Sequence, residues 1–349
     1  MFSYPTSKGA PVETRHGQLT AYLFDANGAD RHLVVREESR PINDAPRLRI
    51  GSKPVDGGYL IFTATERAQM LAADDAADVY LRPYIGAEEF LNGGTRYILA
   101  LDEASPQELG RHPAIVERLR LVRRWRAGEI AKKNSKDGLD RSSESTRYLA
   151  ATPASFHVTV MPANPYLVVP ENGSETRQYV PAGWLSDAVP SSLIRVATEA
   201  GIWHFAIVVS GMHMAWLNGI GGRLKSDPRY SIGLVYNTFP WPEATPAQRA
   251  KVELLAQAVL DARALPKNAT STLADLYDPD RMPGELFKAH KALDAAVDRL
   301  YAAKGFADDR ARVEHLFRLY EALVMPTTAA PAANRRTSRR VARRDTRLV

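Results

Sequence analysis

The sequence predicts an α+β fold, with a mixed α/β region over residues 36–242 followed by a helical region over 243–325. Two observations carry this expectation. Short apolar runs punctuated by Gly and Pro dominate the first part, whereas apolar residues recur at helical spacing in three stretches after Pro242. With 349 residues, 45% hydrophobic and 25% charged, the chain is long enough to bury a substantial core.

In the mixed region, the runs at 33–35, 48–51, 59–62 and 97–99 read as strands. Residues 65–77 read as a helix, because Thr63 or Thr65 can cap it and Met70 and Leu71 share one face. A second helix is expected over 113–133, with proline at its first position and Ile115, Leu119 and Val122 at helical spacing. Its remaining faces are basic: Arg118, Arg120, Arg123, Arg124, Arg126, Lys132 and Lys133 stand against Glu117 and Glu129, with Trp125 among them. Such a surface can lie along phosphates or simply be solvated. Residues 134–145 are polar and read as a loop. Further strands are expected at 156–160, 166–169 and 202–209, the last leading into a helix at Met212. Beyond Pro242, helices are expected over 246–264, 283–303 and 308–323. Their core positions would be Leu254, Leu255, Val259, Leu293, Val297, Leu300, Val313, Leu316 and Leu319.

The net charge is +6, but residues 335–347 hold seven arginines and one aspartate, so the remainder of the chain is close to neutral. A nucleic-acid site in the folded body therefore has to be a local basic stripe. The segment 326–349, rich in Ala, Pro, Thr and Arg, lacks apolar residues to offset ordering and is expected to be disordered. It could hold nearby phosphates without sequence preference or have no binding role. No cysteine is present, which excludes disulfides and thiolate metal sites. No apolar run approaches the roughly 20 residues of a membrane span, and the first eleven residues lack the apolar stretch of a signal peptide. A soluble, cytoplasmic protein with no membrane partner is the expectation.

Catalytic patterns are poorly matched. The glycine cluster Gly219-Ile220-Gly221-Gly222 follows an expected helix, not the strand that a cofactor-binding turn requires. Asn164-Pro165-Tyr166-Leu167 lacks the second proline of an amino-methyltransferase motif and runs into an expected strand. Asp280, Glu285 and Lys288 have the residue types of a metal-dependent nuclease without its arrangement. His204 and His213 have no neighbouring carboxylate or third histidine in sequence, so a core or DNA-facing role outweighs metal binding. What does stand out is Gly222-Arg223-Leu224-Lys225-Ser226-Asp227-Pro228-Arg229-Tyr230-Ser231, followed by Asn237-Thr238-Phe239-Pro240-Trp241-Pro242. Cations, serine and asparagine beside a glycine-rich turn suit phosphates and base edges. Equally, the segment could be a structural corner packed by Phe239 and Trp241.

This segment resembles the end of the target recognition domain in MmeI-like, single-chain restriction-modification methyltransferases. Other stretches agree in the same order: Ser39-Arg40-Pro41-Ile42, Asp56-Gly57-Gly58, Arg82-Pro83-Tyr84-Ile85-Gly86 with Glu88-Glu89-Phe90, Met212-His213-Met214-Ala215-Trp216, Leu273-Ala274-Asp275-Leu276-Tyr277-Asp278, and Lys288-Ala289-His290 through Leu293-Asp294 to Val297-Asp298-Arg299. The family is similar to a fusion of nuclease, helical spacer, S-adenosylmethionine-dependent N6-adenine methyltransferase, recognition domain and helical C-terminal domain. The resemblance covers the last two: a target recognition domain at 36–242 and a C-terminal helical domain at 243–325. Residues 1–35 match poorly, which suggests a truncated or split remnant. Two departures, Gly211 in place of a usual arginine and Glu171-Asn172 in place of a more basic stretch, would alter or weaken base contacts.

The resemblance implies double-stranded DNA as partner, together with a methyltransferase domain or subunit, and no catalytic residue, metal or cofactor site in this chain. S-adenosylmethionine is implied for the full-length family enzyme. Arg223, Lys225 and Arg229 are the candidates for phosphate or guanine contacts, Ser231 and His213 for base edges or phosphates, and Arg123, Arg124 and Arg147 for backbone anchors. A complete methyltransferase and a separate specificity subunit are the alternatives.

Overall fold

A computed structural model describes residues 34–328 continuously, together with 2–3, 10–13, 15, 17 and 19–22. The tail from 329 onward and Leu33 of the first expected strand lie outside the described residues. Two four-stranded sheets organise the mixed region. In one, Ile61–Phe62, Arg96–Leu99 and Leu81–Ile85 are antiparallel neighbours, and Val189–Pro190 adds in parallel at the edge. In the other, Arg49–Ile50, Ile194–Ala197, Tyr166–Pro170 and Gly183–Leu185 are antiparallel throughout. The sheets meet where Ser52 bridges Ser191. There the Ser52 amide donates to Pro190 at 2.6 Å and the Ser191 amide to Ile85 at 2.8 Å.

Strand Tyr166–Pro170 is buried on both faces, which is why it reads as an unbroken apolar run. Leu167 and Val169 enter the main core, while Tyr166 and Val168 join Ile194 and Val196 in a smaller cluster. Asn164-Pro165 is thus the entry to a strand, and the Tyr166 hydroxyl is spent on the Ala188 carbonyl at 2.8 Å.

Several sequence expectations are corrected. The run 202–209 is not a strand but the helix Ile202–Val208, capped by Gly201. Five of its seven residues are buried, so no polar face is left to reveal a helical period. Residues 156–160 form no strand beyond the bridge between Val158 and Lys53, and Val34 and Val35 are irregular. The basic helix spans Pro113–Arg126, shorter than the expected 113–133. It stops because Gly128 takes a φ of +81° and donates back to Trp125. The first helix, Ala64–Ala73, starts at a Thr63–Glu66 capping box.

Helices Pro246–Arg263, Gly284–Tyr301 and Asp309–Thr328 build the C-terminal region. Thr245 and Gln248 close a capping box, with Pro246 in the first turn. Val252, Ala256 and Val259 form the buried stripe, leaving Leu254 on the opposite face at 70% exposed. It is therefore not the core residue expected. Leu293, Val297, Val313 and Leu316 are buried, joined by Phe317 and Tyr320. One continuous apolar cluster runs from Val35 through Trp203–Trp241 positions to Tyr320, so these helices share their core with the mixed region.

A polar stripe on helix Gly284–Tyr301 locks that union. The His290 ring meets the Tyr277 hydroxyl at 2.7 Å and stacks on Tyr179. Asp294 accepts from the Tyr179 hydroxyl at 2.8 Å and from the Gly211 amide at 2.7 Å, and Asp298 accepts two bonds from Arg312. Gly211 is consequently interior, where an added Cβ would lie 3.3 Å from Asp294 and Arg312. No helix among the described residues is long and apolar enough to cross a membrane.

Candidate nucleic-acid interface

Helix Gly211–Ile220 is buried at eight of ten positions and ends at Gly221, so the Gly219-Ile220-Gly221-Gly222 cluster is a helix exit. The chain then turns outward. Arg223–Leu224 pairs with Asp227–Pro228 in a short hairpin whose turn residue Lys225 has a φ of +58°. Holding a lysine in the left-handed region costs about 1–2 kcal/mol. A flexible surface loop would relax that strain, and here the Arg223 guanidinium closes the turn by donating to the Ser226 carbonyl at 2.7 Å.

The base of the hairpin is fixed to segment 171–175. The Tyr230 amide donates to Glu171 at 2.7 Å and the Gly173 amide to Pro228 at 2.9 Å, while Asp227 accepts from the Glu175 amide at 3.0 Å. Beneath it lies a three-residue ion cluster. Oε1 of Glu171 accepts from Arg195 at 2.6 Å and from two nitrogens of Arg229 at 2.9 and 2.7 Å. Arg195 and Glu171 are buried, whereas the Arg229 side chain is 59% exposed. Arg229 is thus held on one side and open on the other, a geometry that presents a guanidinium at fixed angle to phosphate or to a guanine edge. Glu171, which with Asn172 forms a departure expected from sequence to alter or weaken base contacts, positions the cation beside it.

Two candidates are corrected. His213 is fully buried, with Nε2 2.6 Å from the Tyr230 hydroxyl and its ring against Phe239. The Ser231 hydroxyl is buried without a hydrogen-bond partner, at the start of the π-helical turn Ile232–Tyr236. Neither reaches a base edge. Both belong to the platform under the hairpin, and Phe239 and Trp241 pack the corner in the same core.

Burial pushes the His213 pKa down from 6.5 to about 3, so the ring is neutral in the folded protein. Below about pH 6.5 only the unfolded chain gains this proton, and the stability present above that pH is lost as the pH falls toward 3. The expected loss from this group between pH 7 and pH 5 is about 2 kcal/mol. Thermal unfolding across that range should therefore be flatter for His213→Gln than for the parent, and identical slopes would contradict this.

Arg123, Arg124 and Arg147 gather around the C-terminal end of helix Pro113–Arg126. Arg123 donates to the Ala150 carbonyl at 3.3 Å, Arg124 pairs with Glu129 at 3.2 Å, and Arg147 pairs with Glu144 at 3.4 Å. These pairs are solvent-exposed, hence weak and exchangeable for phosphate. Arg126, in the same basic run, instead points inward and is fully buried. Lys133 pairs with Glu66 at 2.6 Å. The structure thus brings the candidates into two groups, one on the hairpin and one at the helix end, and no hydrogen bond or ion pair among the described residues joins them. Sequence reasoning missed Arg195, although a lone cation in the apolar run Ile194-Arg195-Val196 is the signal of a buried ion pair.

Comparison with known proteins agrees with this architecture. Family models for the MmeI target recognition domain and the MmeI C-terminal domain match residues 29–243 and 244–327. DNA methyltransferase A of Bacillus subtilis strain 168 is 38% identical over 304 residues, covering 87% of this chain and 32% of its own length. The solved structure of the type IIL restriction-modification enzyme MmeI in complex with DNA superposes with a TM-score of 0.82 at 34% identity, covering 93% of this chain and 41% of that one. The chain spans less than half the length of either relative. By these matches it belongs to the MmeI family, in which it corresponds to the target recognition domain and the C-terminal domain.

Proposed function

We propose that this chain is a sequence-specific double-stranded-DNA recognition module serving an S-adenosylmethionine-dependent N6-adenine methyltransferase of a restriction-modification system. Methyl transfer and the methyl donor belong to a methyltransferase domain or subunit beside it, which would extrude the adenine from the duplex. The reading rests chiefly on the hairpin, which projects Arg223, Lys225 and Arg229 from a base locked into the main core. It is supported by the likeness to a structure solved with DNA.

In this reading the hairpin cations donate to guanine O6 and N7 or to phosphate, while Arg123, Arg124 and Arg147 hold the backbone and set the register. Anisotropy titrations with a preferred duplex, selected from a random pool and measured at several salt concentrations, test it. Arg223→Ala should weaken binding to that duplex by about 1–3 kcal/mol, whereas Arg147→Ala should weaken all duplexes alike and reduce the salt slope by about one. Unchanged binding by the Arg223 variant throughout the salt series would remove that residue from the interface. A parent protein that binds no duplex would overturn the function itself.

A further inference from the structure

A second surface carries charge of the opposite sign. Beside strand Leu81–Ile85 lies a cleft of about 410 Å3, bordered by Val79, Arg82, Asp102, Glu103, Glu108 and Met161. Arg82 and Met161 also border an adjoining cleft of about 270 Å3 that extends to Asp187. Asp102, Glu103 and Asp187 are exposed and have no ion-pair partner among the described residues. The nearest polar contact of Asp102 is the Thr159 hydroxyl at 3.5 Å. Partial burial raises the pKa of its carboxyl, and the charge of Glu103 adds to the rise. Glu108 is engaged in capping Ser105, and Arg82 is the one cation of the group. Val79, 64% exposed, supplies an apolar rim. Open carboxylates beside apolar surface match a side chain with an aliphatic stem and a forked cationic head, which is arginine.

The same chain supplies such a ligand. Seven arginines lie between positions 335 and 347, 7 to 19 residues beyond Thr328. At 3.3–3.6 Å per residue the segment reaches roughly 23 to 65 Å, whereas a folded chain of this size has a radius of gyration of about 20 Å. The farther arginines therefore span a length comparable to the diameter of the folded body. Attachment also gives it an effective concentration that a separate peptide lacks.

We propose that the arginine-rich segment 335–347 docks in this acidic cleft, its guanidinium groups pairing with Asp102 and Glu103. Docking neutralises the carboxylates and withdraws the arginines from non-specific phosphate contacts, so that sequence preference rests on the folded body.

Because the chain contains no cysteine, paired spin labels can be placed cleanly at Val79→Cys and Ser338→Cys in the full-length protein. A short-distance population is expected at low salt. It should shrink in 1 M salt, where the Debye length falls to about 3 Å, and in the Asp102→Asn, Glu103→Gln variant, whose exposed sites leave folding intact by circular dichroism. A broad distribution indifferent to salt and to both substitutions would overturn the proposal. So would short distances seen only between singly labelled copies mixed together, or only after duplex DNA is added, since these would give the arginines to a second molecule or to phosphate.

Discussion

Replacing Arg126 with alanine is expected to lower folding stability by about 3–5 kcal/mol, read as a large drop in the urea midpoint. Although Arg126 sits in a strongly basic stretch, it is 0% exposed. All of its donors are used: Nε on Val55 at 2.8 Å, Nη1 on Leu149 and Thr152 at 2.9 and 2.7 Å, and Nη2 on Pro54 and Ser155 at 2.8 and 3.0 Å. Two of these carbonyls belong to the irregular segment at Pro54 and Val55, and three to the 3-10 turn Glu144–Ala151 and its exit, where Leu149 and Thr152 also accept from the Thr152 and Ser155 amides at 3.1 Å. Removing the guanidinium would take the donor from the Pro54, Val55 and Ser155 carbonyls in a closed space. Lysine is not a substitute, because a point ammonium offers three donors without the planar fork. Arg126→Lys should fall between parent and alanine variant. Since Ala150 receives Arg123 and Arg147 lies just before it, loosening this knot should also weaken DNA binding indirectly. A midpoint unchanged by either substitution would show that the carbonyls find other donors.

Arg126 also shows what the sequence makes legible. Ile115, Val122 and Arg126 share one helical face, so its inward direction follows from spacing once the apolar stripe is extended to the helix end. Charge alone made it look like its solvated neighbours. The three long C-terminal helices were readable from amphipathic spacing, and in Pro246–Arg263 a capping box and a proline in the first turn agree with it. The helix Ile202–Val208 was not, since burial on all sides erases the period on which the reading depends. Nor could spacing locate the depth of His213, which is set by packing against Tyr230 and Phe239, both beyond the end of its helix in the chain.

The stretches that carry the family resemblance are mostly scaffold. The Asp56 carboxylate accepts from the Leu60 amide at 2.7 Å, and Gly57, with a φ of +65°, lies so close to Trp125 that a Cβ would come within 2.6 Å of the ring. Glu89 closes on Gly86 and Arg96, and His290, Asp294 and Asp298 tie the helices together. Such residues answer to fixed backbone geometry and buried polar groups, so they identify the fold. Hairpin residues that could face a ligand answer to whatever is bound there, and the sequence alone therefore marked the region better than the individual contacts.

Glu171→Ala is expected to be the second severe change, again costing about 3–5 kcal/mol. The Arg195 side chain is only 7% exposed and Glu171 is its carboxylate partner. Without it, the guanidinium keeps the Ser192 carbonyl at 3.0 Å and a long contact to Tyr230 at 3.4 Å, too little to offset a buried cation. If the loss arises from that uncompensated charge, Glu171→Ala combined with Arg195→Met should recover most of the stability, because an apolar replacement of a buried pair is often neutral or favourable. The two variants separate stability from recognition. Both release Arg229 from its 2.7 Å contact, so both should bind the preferred duplex less selectively even where the double variant folds as well as the parent. Urea unfolding and anisotropy on the same preparations decide the matter. If the double variant restored selectivity along with stability, Glu171 would be supporting the fold alone, and the orientation of Arg229 would have to come from the hairpin backbone.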